Sequence, residues 1–129
     1  MNDRRQDLLA RTNDIEEAYE YFLAYASQGL PTESGQIRDF LKKFHRAVAG
    51  LGVFFTDYIA GLSLDTAPYR AFIDVIDRDA RAAHAAVDMV LAQPAITSQI
   101  IDNLNANIHV RALLTDLFLI DEVLKARRS

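Results

Sequence analysis

Four long stretches of this chain carry apolar residues at helical spacing, and short breaks separate them. Each break contains proline, glycine or both: Gly29 to Thr32, Leu62 to Pro68, and Gln93 with Pro94. Such residues end one helix and begin the next, and short connections favour antiparallel neighbours. The sequence therefore predicts a single all-α domain, an antiparallel up-down-up-down four-helix bundle, with helices over about 3–28, 33–62, 67–93 and 95–126.

The second predicted helix has the most regular apolar pattern. From Ile37 to Leu62, apolar residues alternate at spacings of four and three. This heptad pattern is typical of helices that pack about 20° from antiparallel. Gly50 and Gly52 lie within it, and each costs roughly 1 kcal/mol of helix stability relative to alanine. We therefore expect something to compensate, most simply a close approach of a neighbouring helix.

Composition excludes several classes of protein. The net charge of -4 argues against a nucleic-acid partner, which would need a concentrated basic face. The absence of cysteine excludes disulfides, thiolate metal sites and thiol catalysis. The first residues lack the apolar core of a secretory signal, and charges interrupt the longest apolar run, Ala112 to Leu124. We expect a cytoplasmic protein without a membrane span.

The predicted fourth helix is apolar on more than one face, so it needs more than one packing partner. We expect its first row to fill the bundle: Ile101, Leu104, Ile108, Ala112, Leu119 and Val123. The second row would stay exposed in a monomer: Val110, Leu113, Leu117, Ile120 and Leu124. Arg111 lies in the same stretch and is costly to bury unless a carboxylate pairs with it across an interface. We therefore predict a homodimer, or a complex with another protein, through the second row and Arg111.

The three histidines suggest an alternative, a metal-binding bundle. His84 and Asp88 are one helical turn apart, and His109 from a facing helix could complete a site with them. None of the histidines has a glutamate three residues before it, as the di-iron signature of helical bundles requires. Solvated or interface histidines are the competing interpretation, and we expect no resident cofactor.

An apolar ligand is a further alternative, because large aromatic residues cluster in the first two predicted helices. A cavity for an apolar molecule could form between them, lined by Tyr19, Phe22, Gly50, Gly52, Phe54 and Phe55. An aromatic stripe at helical spacing also describes an ordinary close-packed core, and this second interpretation competes with the first.

Two short stretches resemble motifs of known helical families. His45 to Gly52 resembles the motif of histidine-phosphotransfer proteins, although that family has lysine and glycine where this chain has Val48 and Ala49. Glu16 to Glu20 is similar to the first half of the signature of all-helical nucleotide pyrophosphatases, and the Glu-x-x-Asp half does not follow it. These resemblances imply a phosphoryl-accepting His45 and a magnesium site, respectively.

No phosphate-binding glycine loop, nucleophile motif or dinucleotide fingerprint occurs in the chain. We therefore expect a non-catalytic interaction or accessory protein rather than an enzyme. The alternatives that remain open are a metal-binding or apolar-ligand-binding bundle and, more remotely, histidine phosphotransfer.

Overall fold

The computed structural model describes residues 3–128, and its description of side chains covers residues 4–126. Within this range the chain folds into six helices and no strand, which confirms the all-α prediction. The helices are α1 (Asp3–Ser27), α2 (Ile37–Val48), α3 (Leu51–Ala60), α4 (Ala67–Leu91), α5 (Ser98–Ala106) and α6 (Ile108–Arg128). None of the described helices is both long enough and apolar enough to cross a membrane.

The predicted second helix is two helices in the structure. Ala49 is extended, with φ -64° and ψ 127°, and Gly50 is left-handed, with φ 66°. Glycine adopts this conformation without the steric penalty that a Cβ atom brings, so the chain leaves the helical path here. Arg11 donates hydrogen bonds to the carbonyl groups of Ala47 and Ala49 at 3.3 and 2.8 Å, which satisfies acceptors freed by the break.

The helical conformation also begins later than predicted, at Ile37 rather than near residue 33. Gly35 is left-handed, with φ 68°, and therefore cannot belong to a helix that includes its neighbours. The loop is held by side chains instead, because the Tyr21 hydroxyl accepts a hydrogen bond from the backbone N–H of Gln36 at 2.8 Å.

The predicted fourth helix is interrupted as well. Asn107 is extended, with φ -60° and ψ 128°. Its side-chain oxygen accepts hydrogen bonds from the backbone N–H groups of His109 and Val110, at 3.0 and 3.2 Å. Asparagine is one of the preferred N-capping residues, so Asn107 begins a new helix rather than continuing α5.

The helices pack around one apolar core. α1 contacts α2 and α5, while α4 contacts α2, α3 and α6. Fully buried aromatic residues fill the space between α1 and α2, where the ring centroids of Phe22 and Phe44 are 5.8 Å apart. The expected close helix approach occurs at Gly52, because a Cβ atom there would lie only 2.7 Å from the Cβ of Asp77 on α4.

A dense polar network joins the two loops at one end of the helices. The buried Tyr25 hydroxyl donates to the carbonyl of Ile96 at 2.5 Å and accepts from the N–H of Ser34 at 3.2 Å. Ser98 donates its hydroxyl proton to the Tyr25 carbonyl at 2.6 Å and accepts from the N–H of Leu30 at 2.8 Å. These bonds satisfy buried polar groups and fix the loops against each other.

Arg38 extends this network along the surface. Its guanidinium donates to both carboxylate oxygens of Glu33 at 2.8 and 2.9 Å, and to the carbonyls of Leu91 and Gln93 at 2.9 and 2.7 Å. The hydrogen bond from Arg38 lowers the pKa of Glu33, and a further bond from the Ile96 N–H acts in the same direction. The connection after α4 is therefore anchored to the start of α2.

Candidate functional site

The structure reverses the two apolar rows of the predicted fourth helix. The row expected to be exposed is in the core, with each residue at most 4% exposed: Val110, Leu113, Leu117, Ile120 and Leu124. Residues expected to fill the bundle face outward instead, with Ile108 73%, Leu119 56% and Val123 41% exposed. The expectation that the Val110 row forms an exposed patch is therefore wrong.

The break at Asn107 explains the reversal. Before it, Ile101 and Leu104 of α5 are buried, as the sequence pattern indicated. A continuous helix would have carried the same inward face on through Ile108. Because Asn107 is extended and caps a new helix, α6 starts with a different rotation about its axis and buries the other row.

The outward face of α6 adjoins an apolar groove. This groove, about 460 Å³ in volume, lies between the first turns of α4 and the last turns of α6. Its lining is mostly apolar: Leu64, Asp65, Pro68, Tyr69, Phe72, Leu119, Ile120 and Val123. Phe118 is a further exposed apolar residue of α6, at 54%. Arg111, which was expected at an interface, lies exposed on the same helix.

The second candidate region brings together His45, His84 and Asp88. The Nε2 atom of His45 on α2 is 2.7 Å from Oδ1 of Asp88 on α4. Nδ1 of His84, one turn before Asp88, is 3.6 Å from Oδ2 of the same carboxylate. The two imidazole rings stack with centroids 3.7 Å apart and an angle of 29° between their planes. We refer to these three residues as the histidine cluster.

His45 is more enclosed within this cluster than its place on the helix suggests. Its Nε2 atom is covered, and it makes no hydrogen bond of acceptable geometry despite the short distance to Asp88. Phosphotransfer requires a ring nitrogen that can reach a phosphoryl group, and an adjacent carboxylate repels such a group. The geometry therefore disfavours Nε2 of His45 as the phosphoryl acceptor that the resemblance to histidine-phosphotransfer proteins implied.

His109 does not join His84 and Asp88, so the predicted set of three ligands is not assembled. His109 lies on α6, where its Nδ1 is 3.6 Å from Oδ1 of Asp79 on α4. Its place beside His84 and Asp88 is taken by His45, which the sequence did not connect with them. The periodicity of α2 gives one signal, because His45 directly follows the buried Phe44 and thus flanks the face that packs on neighbouring helices.

The carboxyl groups of Asp79 and Asp116 lie close together, and Asp79 also faces His109. Burial, and then the hydrogen bond and charge of Asp79, raise the pKa of Asp116 to about 7. One oxygen of Asp116 is enclosed without a hydrogen-bond donor from the described residues. Protonation turns the carboxyl group of Asp116 from an acceptor into a donor, which the neighbouring carboxylate of Asp79 can accept.

The residues predicted to line an apolar cavity have packing partners. Phe22 and Phe55 are fully buried, and the ring of Phe54 contacts those of Phe55 and Tyr58 at 5.5 and 6.1 Å. Tyr19 packs against the core from its edge. Gly52 lies against Asp77, while Gly50 lines a separate surface groove with His84. These contacts are those of a close-packed core.

Comparisons with protein family models, with curated proteins and with solved structures found no match to this chain.

Proposed function

We propose that this chain is a non-catalytic interaction protein that pairs with a second copy of itself through the outward face of α6. The observation that supports the proposal is the apolar row left on that face, which comprises Ile108, Leu119 and Val123. An exposed apolar strip of this kind, continuous with a groove, is typical of a partner surface. The pairing surface thus lies on the predicted helix, but on its other row.

Spacing along α6 favours a second copy as the occupant. In an antiparallel pair centred between residues 115 and 116, Leu119 of one copy is level with Ala112 of the other. Ile108 is level in the same way with Val123, so each large side chain meets a smaller or matching one. This arrangement is self-complementary, as a two-fold interface must be.

Charge also favours this pairing. Arg111 and Glu122 lie on the same side of the outward face of α6. In the antiparallel pair, Arg111 of one copy comes within about one helical turn of Glu122 of the other. The two-fold axis repeats the contact, which gives the pair two ion pairs at its edge. Their contribution is chiefly to the register of the two helices, because exposed ion pairs stabilise little.

The experiment compares both rows of α6 by light scattering after size exclusion. We expect a dimer at roughly 50 μM, a concentration at which micromolar association is populated. Leu119→Glu should give a monomer with unchanged helicity, whereas Leu117→Glu should unfold the chain because Leu117 is in the core. Leu23→Glu is the matched control, since Leu23 is 48% exposed on α1 and should leave the dimer intact. A wild-type chain that stays monomeric at this concentration would refute the proposal.

We also propose that the six helices form the four antiparallel segments of a bundle, in which α2 with α3 makes one segment and α5 with α6 makes another. The breaks within these segments are short, with α2 ending at Val48, α3 beginning at Leu51, and Asn107 alone separating α5 from α6. The contacts of α1 with α2 and α5, and of α4 with α2, α3 and α6, fit an up-down-up-down bundle. A cytoplasmic location remains a prediction from the sequence.

A further inference from the structure

The histidine cluster has the ligands and the spacing of a small metal centre. We propose that His45, His84 and Asp88 bind one divalent transition metal ion of the zinc class. The three ligand atoms lie within 4.8 Å of one another, and the separations to the carboxylate are 2.7 and 3.6 Å. In a tetrahedral zinc site the ligand atoms are roughly 3.3–3.6 Å apart, so rotation of side chains alone would bring these atoms onto an ion.

The donor set determines the class of ion. Two imidazole nitrogens with one carboxylate suit zinc, copper or nickel, whereas calcium and magnesium prefer sites made of oxygen. His45 comes from α2, and His84 and Asp88 come from consecutive turns of α4. Binding would therefore link two helices that already pack together, without rearrangement of the backbone.

The enclosed nitrogen of His45 favours a ligand beyond the ion-pair contact with Asp88. A single carboxylate faces two stacked imidazoles whose ring centroids are 3.7 Å apart. Nε2 of His45 is enclosed and, although it lies 2.7 Å from Oδ1 of Asp88, makes no hydrogen bond of acceptable geometry. Each enclosed polar atom of this kind is costly unless a partner satisfies it. A metal ion would satisfy Nε2 of His45 together with Nδ1 of His84 and the carboxylate.

The surroundings leave room for further ligands. His84 lines a surface groove of about 450 Å³ next to the break between α2 and α3, together with Ala49, Gly50 and Arg81. Three ligands from the protein leave one position of a tetrahedral ion for water or a small anion. Arg81 lies at the same groove, with its charge paired to Asp77 at 2.9 Å. Because that charge is already paired, water is the expected fourth ligand.

The test uses the full chain, purified, treated with a chelator and then titrated with zinc by calorimetry. We expect one zinc ion per chain with a dissociation constant in the micromolar range or below. Cobalt, bound in place of zinc, should give the visible absorption of a tetrahedral site. Zinc should also raise the midpoint of thermal unfolding, because the ion binds the folded state.

The third histidine supplies the control. His45→Ala, His84→Ala and Asp88→Asn should each weaken zinc binding by at least about tenfold. His109→Ala should bind zinc like the wild type, because His109 faces Asp79 instead. Circular dichroism of the metal-free variants checks folding, and Asp88→Asn serves if a histidine variant fails to fold, since Asp88 is exposed. Absence of binding at roughly 100 μM zinc, or equal weakening by His109→Ala, would overturn the proposal.

Discussion

Replacement of Gly52 by alanine tests how closely α3 approaches α4. In an ordinary helix this change is stabilising, because glycine costs roughly 1 kcal/mol relative to alanine. Here the added Cβ would lie 2.7 Å from the Cβ of Asp77 and 2.8 Å from its Cγ. Carbon atoms in favourable contact are about 3.5–4.0 Å apart, so the two helices must separate by roughly 0.8 Å or more.

The sign of the change in stability depends on two quantities, the gain in helix propensity and the cost of the steric overlap with Asp77. Forcing an extra carbon into a well-packed site typically costs about 1–3 kcal/mol. The side chain of Asp77 cannot move out of the way by rotation alone, because its Cβ is fixed to the α4 backbone. After subtraction of roughly 1 kcal/mol gained in helix propensity, we expect Gly52→Ala to lower the free energy of unfolding by up to about 2 kcal/mol.

Urea denaturation followed by circular dichroism gives this difference directly, and the thermal midpoint should fall by up to about 8 °C. Gly61→Ala is the matched control, because the nearest atoms to its added Cβ are 3.5 and 3.6 Å away and its φ is -83°. We expect that variant to stay within about 0.5 kcal/mol of the wild type. If Gly52→Ala is more stable than the wild type by the full helix-propensity gain of roughly 1 kcal/mol, then the close approach of α3 and α4 is not present in solution.

Three further predictions concern single contacts. The pKa of Asp116 is about 7 in the folded chain, well above the ordinary value for an aspartate side chain. The unfolded chain therefore releases this proton first as the pH rises, and the free energy of unfolding should fall between pH 4 and pH 7. Asp116→Asn should remove that fall and should be more stable than the wild type at pH 8 by about 1 kcal/mol, a figure reduced for solvent screening. Urea denaturation at several pH values measures this difference. If the stabilities of the two proteins change in parallel with pH, the prediction is wrong. Tyr25→Phe should lower the free energy of unfolding by about 1–3 kcal/mol in the same assay, because it removes a buried hydrogen bond to the Ile96 carbonyl. An unchanged stability would mean that water satisfies this carbonyl in the variant. Asn107→Ala should lower the free energy of unfolding by about 1 kcal/mol, because it removes the cap of α6. Asn103 is exposed on α5, and Asn103→Ala should have a much smaller effect. Equal losses in the two variants would exclude capping as the cause.

The long helices were predictable because their apolar periodicity and their end signals agree. α1 and α4 cover nearly the predicted ranges, and Pro68 lies in the first turn of α4 as expected. The interruptions were less visible. Gly50 and Gly52 both suggested a special position, but one is a left-handed break and the other a close contact. The position of the neighbouring helix decides which glycine forms the break and which forms the contact. The residues around Gly50 and Gly52 in the sequence do not contain this information.

The candidate surface on α6 could be predicted only in part, for the same reason. Both apolar rows are evident in the sequence, but the choice of the buried row depends on rotation about the helix axis. Asn107 sets that rotation, and an asparagine within a helical pattern is compatible with either a continuous helix or a new cap. The histidine cluster shows a similar limit, because the facing helix supplies His45 at a distance in sequence that no local spacing encodes.

The alanines of α4 explain why its short polar side chains can reach three neighbouring helices. Ala80 and Ala83 are buried along the inner face, so adjacent helices approach without large side chains between the backbones. Histidine and aspartate are too short to meet across the wider gap that leucine or phenylalanine would impose. The same helix can therefore hold His84 against α2 and Asp79 against α6. Enlarging Ala83 would widen these gaps together, so the geometry of the histidine cluster and the pKa of Asp116 should both change in response to one substitution in the core.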